Sequence, residues 1–118
     1  MTPFSASFHE HPDAVVVAVK GEFDLAATTE FRTARAQALG ADGALIVDLG
    51  DCTFIDSTGI ACVIRSFERA DSAGREFALV ASDFHVRRVL ELVGVPDRIP
   101  CFTSLDKALA SLAPASVS

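Results

Sequence analysis

The stretch Asp56-Ser57-Thr58-Gly59 sets a carboxylate and two hydroxyls side by side in the chain. Oxygens of this kind can act as a nucleophile, a metal ligand, a phosphate acceptor or a helix cap. A nucleophilic serine needs a base and a carboxylate to orient that base. The histidines are His9, His11 and His85, and no G-x-S-x-G elbow is present, so a hydrolase cannot be assembled. Asp42, Asp48, Asp51 and Asp56 suggest a magnesium site, but loop aspartates ordinarily cap helices and face water. The chain carries neither G-x-x-x-x-G-K-[ST] nor G-x-G-x-x-G, and so has no recognisable phosphate loop of its own. What remains is the end of a helix. An Asp or Ser ahead of an apolar-periodic run accepts a bond from an orphan backbone N–H, and the same helix end favours an anion.

Two elements must hold this group. Ala44-Leu45-Ile46-Val47 is a short apolar run that suits a strand buried on both faces, predicted over 44–49. The polar cluster Asp48-Leu49-Gly50-Asp51-Cys52 then reads as its end. A helix follows, with Ile60, Val63, Ile64 and Phe67 on one face and Gly74 at its close. Before this pair, Phe4 to Phe8 alternates as a half-exposed strand, and His11-Pro12-Asp13 makes a hairpin turn into the inner strand of Val15, Val16, Val17 and Val19. From Leu25 to Leu39 the spacing is helical, with Phe31, Ala34 and Ala38 inward, Arg32 and Arg35 toward water, and Gly40 as a left-handed C-terminal cap. After it come the strand Phe77 to Ala81 and a helix capped by Ser82 with Val86, Val89, Leu90 and Val93 inward. Gly94-Val95-Pro96 stops that helix. Arg98 to Phe102 is an edge strand, since Pro100 argues against a central one. Ser104 caps a last helix with Leu105, Ala108, Leu109 and Leu112 inward. The order β-β-α-β-α-β-α-β-α predicts one small α/β domain over residues 1–113. Its mixed, largely parallel sheet of four to five strands is packed with four helices, and a frayed tail covers 114–118.

Composition narrows the function. Ten Lys and Arg against sixteen Asp and Glu give a net charge of −6, which argues against binding a nucleic-acid backbone. Four aspartates and no Lys or Arg lie between Asp42 and Asp56, an acidic rim that suits a basic protein partner. No run approaches the ~20 apolar residues of a membrane span, and the N-terminus lacks a signal-peptide pattern, so a cytoplasmic protein is expected. Cys52, Cys62 and Cys101 form no C-x-x-C pair and imply neither zinc nor a disulfide framework; Cys62 falls in a helical apolar pattern as a small core residue. A receiver domain of this length, phosphorylated at Asp48, would want an acidic pair after the first strand and a lysine near the last. The only lysines are Lys20 and Lys107.

The segment FIDSTGIACVIRSF resembles the signature of the STAS domain, the family of bacterial anti-sigma factor antagonists. Gly21-Glu22-Phe23-Asp24 resembles the family's G-E-[LF]-D after the second strand, and VRRVLELVGVPDRIPCFTSLDKAL its C-terminal half. The resemblance implies a non-catalytic, phosphorylation-gated module that works by partner switching. Unphosphorylated, it binds an anti-sigma factor and releases a sigma factor. The anti-sigma factor, a serine kinase using ATP and Mg²⁺, switches it off at Ser57. Asp24, Asp56, Ser57, Thr58, Gly59 and Ile60 are the implied contact residues, with no cofactor of its own and a monomer or weak dimer expected. Thr58 stands where the family more often has serine, and Ile60-Ala61 where it often has Leu-Gly. The alternative is a STAS scaffold in a stress-sensing complex, or a lipid-transporter subunit, with a structural serine.

Overall fold

The computed structural model describes residues 3–112, so the domain limit at 113 and the tail at 114–118 lie outside the described residues. A five-stranded sheet runs in the order β1-β2-β3-β4-β5. β1 (Ser5–His11) pairs antiparallel with β2 (Ala14–Phe23), from Ser5 opposite Lys20 to His11 opposite Ala14, leaving Pro12 and Asp13 as the turn. β3 (Ala44–Ile55), β4 (Phe77–Ala81) and β5 (Cys101–Phe102) then add in parallel.

Because the strand order never reverses, right-handed crossovers put every connecting helix on the same face. Those helices are α1 (Thr28–Leu39), α2 (Ser57–Ser72) and α3 (Phe84–Leu92). The pleat assigns the core accordingly. Val15, Val17, Val19, Leu45, Val47 and Leu49 face these helices in the larger cluster. Val16, Ile46, Ala78 and Val80 face the other way, where α4 (Leu105–Ser111) packs over them with Phe102 and Leu112 beside it. A strand apolar at every position is thereby explained, since both faces of the central strands are buried.

The polar cluster after Val47 is not a loop. β3 continues through it to Ile55 by bulging against β2, with Asp51 opposite Lys20 and Phe54 opposite Glu22. Each bulge adds a residue to β3 and breaks the period of two, so Gly50-Asp51 and Thr53-Phe54 are successive residues outside the core. Gly21, on the partner strand, takes φ +86° at this irregularity.

Other expectations are corrected by packing. A 3₁₀ turn at Leu25–Ala27 precedes α1, where continuous helix was expected. Gly40 is right-handed, φ −76°. No left-handed cap is needed, because the Arg75 guanidinium donates to the carbonyls of Ala38 and Leu39 and also to that of Gly43. Ser82 does not cap α3; its hydroxyl donates to Thr103 O at 2.8 Å, and Asp83 is the cap. Val93 is exposed, since α3 ends before it. Arg35 is buried at 8% exposure instead of facing water, its guanidinium carbon 5.9 Å from the Phe31 ring centroid.

Candidate functional site

β2, β3 and β4 are parallel and end at one edge of the sheet, in Phe23, Ile55 and Ala81. The Asp56-Ser57-Thr58-Gly59 group lies at this edge because β3 hands directly into α2. Phe23 anchors the junction. Its ring is fully buried between Phe4 and Phe31, with centroids 5.5 and 4.8 Å away, and its carbonyl accepts the Asp56 N–H at 3.2 Å.

Asp56 is the N-cap. Its Oδ1 accepts the N–H of Thr58 at 2.9 Å and of Gly59 at 3.1 Å, together with the Thr58 hydroxyl. The Thr58 hydroxyl, and after it these backbone N–H groups, hold the Asp56 carboxyl below the usual carboxylate range. The two hydroxyls are therefore unlike. That of Thr58 is committed to Asp56 on a half-buried residue. Ser57, the first residue of α2, is exposed, and its hydroxyl makes no hydrogen bond among the described residues.

Gly59 is buried, and a Cβ there would meet Phe23 O at 2.6 Å and Ile55 Cγ1 at 2.8 Å. The glycine lets the first turn of α2 lie against the sheet, and this close approach fixes where Ser57 points. Ile60 is partly buried against the core. Asp24 follows Phe23, is half-exposed and forms no cap bond. All six expected contact residues thus meet at one place. Ser57, Thr58, Asp24 and Asp56 reach its surface, while Gly59 and Ile60 support it from behind.

The surface also has apolar parts that sequence reading missed. Leu25 and Phe84 are each 70% exposed and Phe54 is 47% exposed, all just beyond or at the strand ends. The available signal was positional: Leu25 follows Asp24 and Phe84 follows Asp83, apolar residues at helix starts ahead of the inward-facing period.

The aspartates between 42 and 56 do not gather into one rim around Ser57. Asp42 precedes β3 and lies at the opposite end of that strand from Ser57. Asp48 turns inward to accept the Gly50 N–H at 2.8 Å, and burial pushes its carboxyl up. The groove that Thr58 helps to line, between α1 and α2, carries Arg32, Arg35, Arg65 and Arg69. No group of three or more His, Cys, Asp or Glu among the described residues is arranged to hold a metal ion. Burial pushes the Cys52 thiol up to about 11 and raises that of Cys62, so both are protonated at neutral pH. No helix among the described residues is long and apolar enough to cross a membrane.

A single mixed sheet, helices on one face from unreversed right-handed crossovers, and an Asp-capped helix presenting an exposed serine at the end of the central strand define a class of small α/β domain. The STAS domain model matches residues 5–108, and the chain belongs to that family. It is 28% identical over 109 residues to the anti-sigma-F factor antagonist RsfA of Mycobacterium tuberculosis, covering 90% of this chain and 85% of that protein. An anti-sigma factor antagonist from Mycobacterium paratuberculosis superposes with a TM-score of 0.82 at 24% identity, over 92% of this chain and 93% of that one. The phosphorylated form of SpoIIAA, a Bacillus cell fate determinant, gives 0.66 at 20% identity, over 92% and 97%.

Proposed function

We propose that this protein is an anti-sigma factor antagonist gated by phosphorylation of Ser57. The observation that carries the reading is the contrast at the helix start. Asp56 and Thr58 do the capping, and Ser57 is left exposed, with its hydroxyl unbonded among the described residues. A hydroxyl that the fold does not use is free to receive a phosphoryl group. The antagonist role of RsfA and the existence of a phosphorylated SpoIIAA support the same assignment.

Unphosphorylated, the chain docks on an anti-sigma factor through the sheet edge, where Leu25, Phe54 and Phe84 offer apolar surface around Ser57. Asp24 and Thr58 lie beside them as polar contacts. The partner, a serine kinase using ATP and Mg²⁺, transfers the γ-phosphoryl group to the Ser57 Oγ. The serine proton is lost and ADP leaves. The chain supplies the acceptor and no catalysis of its own.

The phosphate adds about −1.5 to −2 charges at neutral pH. At the first helical position the dipole favours it, while the Asp56 carboxylate opposes it and already occupies the Thr58 and Gly59 N–H groups. The fold survives, because none of the bonds that hold α2 in place uses the serine oxygen. Docking does not: a dianion must be desolvated in the middle of an apolar contact. A cost of ~3 kcal/mol there weakens binding more than a hundredfold.

Incubation with host lysate and ATP-Mg²⁺, followed by intact-mass measurement and site mapping, tests the acceptor. One phosphate on Ser57, absent from Ser57→Ala, is expected. Phosphate on Thr58 alone would reassign the acceptor to the hydroxyl that Asp56 holds. For the switch, Ser57→Ala binds the anti-sigma factor constitutively and Ser57→Asp loses binding. Equal affinities of two folded variants would end the proposal.

A further inference from the structure

The groove between α1 and α2 is the feature that the Ser57 switch leaves unused. It has a volume of about 510 Å³ and is lined by Arg32 and Arg35 from α1, Arg65 and Arg69 from α2, and Leu25 and Thr58 at one end. No carboxylate lines it. It runs on into a second depression of about 580 Å³ that shares Arg65 and Arg69 and adds Arg75, with Glu68 as its acidic residue.

The charge arrangement is unfavourable to the isolated chain. Arg32 and Arg35 are three apart on one helix, and Arg65 and Arg69 four apart on the other, so each pair is a like-charge neighbour pair. None of the four makes an ion pair or a side-chain hydrogen bond among the described residues. Arg35 is the most enclosed of them: the residue is 8% exposed, its stem is buried and its guanidinium carbon lies 5.9 Å from the Phe31 ring centroid, while its nitrogens still reach the solvent of the groove. Burial first, and then the Arg69 charge, lower its pKa. The whole chain has six more acidic than basic residues, yet four of its ten Lys and Arg converge here uncompensated. Four like charges that line one groove with no carboxylate among them are complementary to an anionic partner.

We propose that the α1–α2 groove receives an acidic helical segment of a protein partner, whose carboxylates pair with Arg32, Arg35, Arg65 and Arg69. Length favours a polypeptide over a single small anion: α2 has 16 residues, ~24 Å at 1.5 Å each, and the depression follows it. Carboxylates at i and i+4 on one face of a helix match the spacing of the arginines. A nucleic-acid backbone is disfavoured by the net charge of −6, and a flat anionic membrane cannot reach Arg35 between two helices. In the partner-switching reading, on which the partner's identity rests, the segment belongs to the anti-sigma factor. Phosphate at Ser57, the residue before groove-lining Thr58, then places charge of the segment's own sign at the groove's mouth. The partner face meeting the groove is acidic, the reverse of what a run of aspartates in the sequence suggests.

The test is an amide-resolved NMR titration of the full chain with a capped helical peptide of about 14 residues, ~21 Å long, bearing Glu at i, i+4 spacing along one face. The same peptide with Gln, and inorganic phosphate, serve as controls. Groove-lining amides of α1 and α2 are expected to shift saturably with the Glu peptide, at least tenfold more tightly than with the Gln peptide. The exposed-residue variants Arg65→Ala and Arg69→Ala each weaken the Glu peptide about fivefold, ~1 kcal/mol, with unchanged thermal midpoints. Equal binding of the Gln peptide, inorganic phosphate producing the same shifts at the same affinity, or shifts confined to other elements would each overturn the proposal. The titration does not involve Ser57, so a failed serine switch and a failed groove are read separately.

Discussion

α2 and α3 begin alike and end up differently placed. Both start at the carboxyl edge of the sheet, and both are capped by an aspartate whose Oδ1 accepts two backbone N–H groups at 2.9 and 3.1 Å. At the first helical position α2 has Ser57 and α3 has Phe84; at the third, Gly59 and Val86. Val86 fills the core with its side chain, being 1% exposed, whereas Gly59 has Phe23 O where a side chain would be. The first turn of α2 therefore meets the sheet with its backbone, and that of α3 with a side chain. The cap belongs to the fold, since both helices have it. The serine, the glycine and the third hydrogen bond from Thr58 belong to α2 alone, and the proposed switch rests on them.

Copying α3 into α2 should do the most damage. Gly59→Ala gains about 1 kcal/mol of helix propensity, and φ at Gly59 is not positive, so the cost is steric. The added carbon meets backbone, which cannot swing aside, and a net loss of ~1–3 kcal/mol is expected in chemical denaturation. Gly59→Val should exceed that range and leave part of the population unfolded at 37 °C. A Gly59→Val chain of native stability would mean that α2 is not held against Phe23.

The two caps give the next effect. Asp83→Ala should cost ~1 kcal/mol, and Asp56→Ala up to ~2, because the Thr58 hydroxyl also loses its acceptor. Equal losses in parallel thermal melts would show that the third bond contributes nothing.

These differences also explain what could be read from the chain alone. Phe77 to Ala81 was legible to the residue, because an apolar run in a doubly buried strand is bounded sharply by polar residues. The α2 start was legible because Asp-Ser-Thr-Gly is both a capping pattern and a family signature. The end of β3 was not. Its bulges break the period of two, and Asp48-Leu49-Gly50-Asp51 has turn composition although its backbone pairs with β2 and, at Asp48 and Leu49, with β4. The arginine groove was illegible for a different reason. Arg32 and Arg35 flank a correctly read apolar stripe, but only the docking of α2 brings Arg65 and Arg69 opposite them. Aspartates consecutive in sequence scattered over the fold, while arginines distant in sequence converged.

Thr58→Val isolates the third bond at a cost of about 1 kcal/mol or less near neutral pH. Its signature is in the pH dependence. The Asp56 pKa is depressed in the folded protein, so its contribution is fully present above the unfolded carboxylate value of ~3.9 and is lost as pH falls through the lower folded value. Removing the Thr58 hydroxyl removes the largest cause of that depression. The wild-type advantage over Thr58→Val should therefore shrink on acidification below pH ~4. An advantage constant from pH 7 to pH 2 would show that Asp56 is not the hydroxyl's acceptor.

The smallest effect on stability is expected at Phe84, and it bears on the comparison from the other side. At 70% exposure, with an edge contact to the His85 ring 5.7 Å away, Phe84 contributes little to the core. Phe84→Ser gives α3 the same first residue as α2 and should leave the denaturation midpoint within the ~0.5 kcal/mol typical of surface changes. Its effect belongs to docking. Phe84, Leu25 and Phe54 lie at or just beyond the strand ends on the sheet edge that carries Ser57, and large apolar side chains left in water at a contact surface gain on burial. Phe84→Ser should weaken anti-sigma factor binding by the unphosphorylated chain while leaving phosphate transfer to Ser57 measurable by mass. If binding is untouched, the partner approaches from the α1–α2 side alone, and the apolar edge over α3 lies outside its footprint.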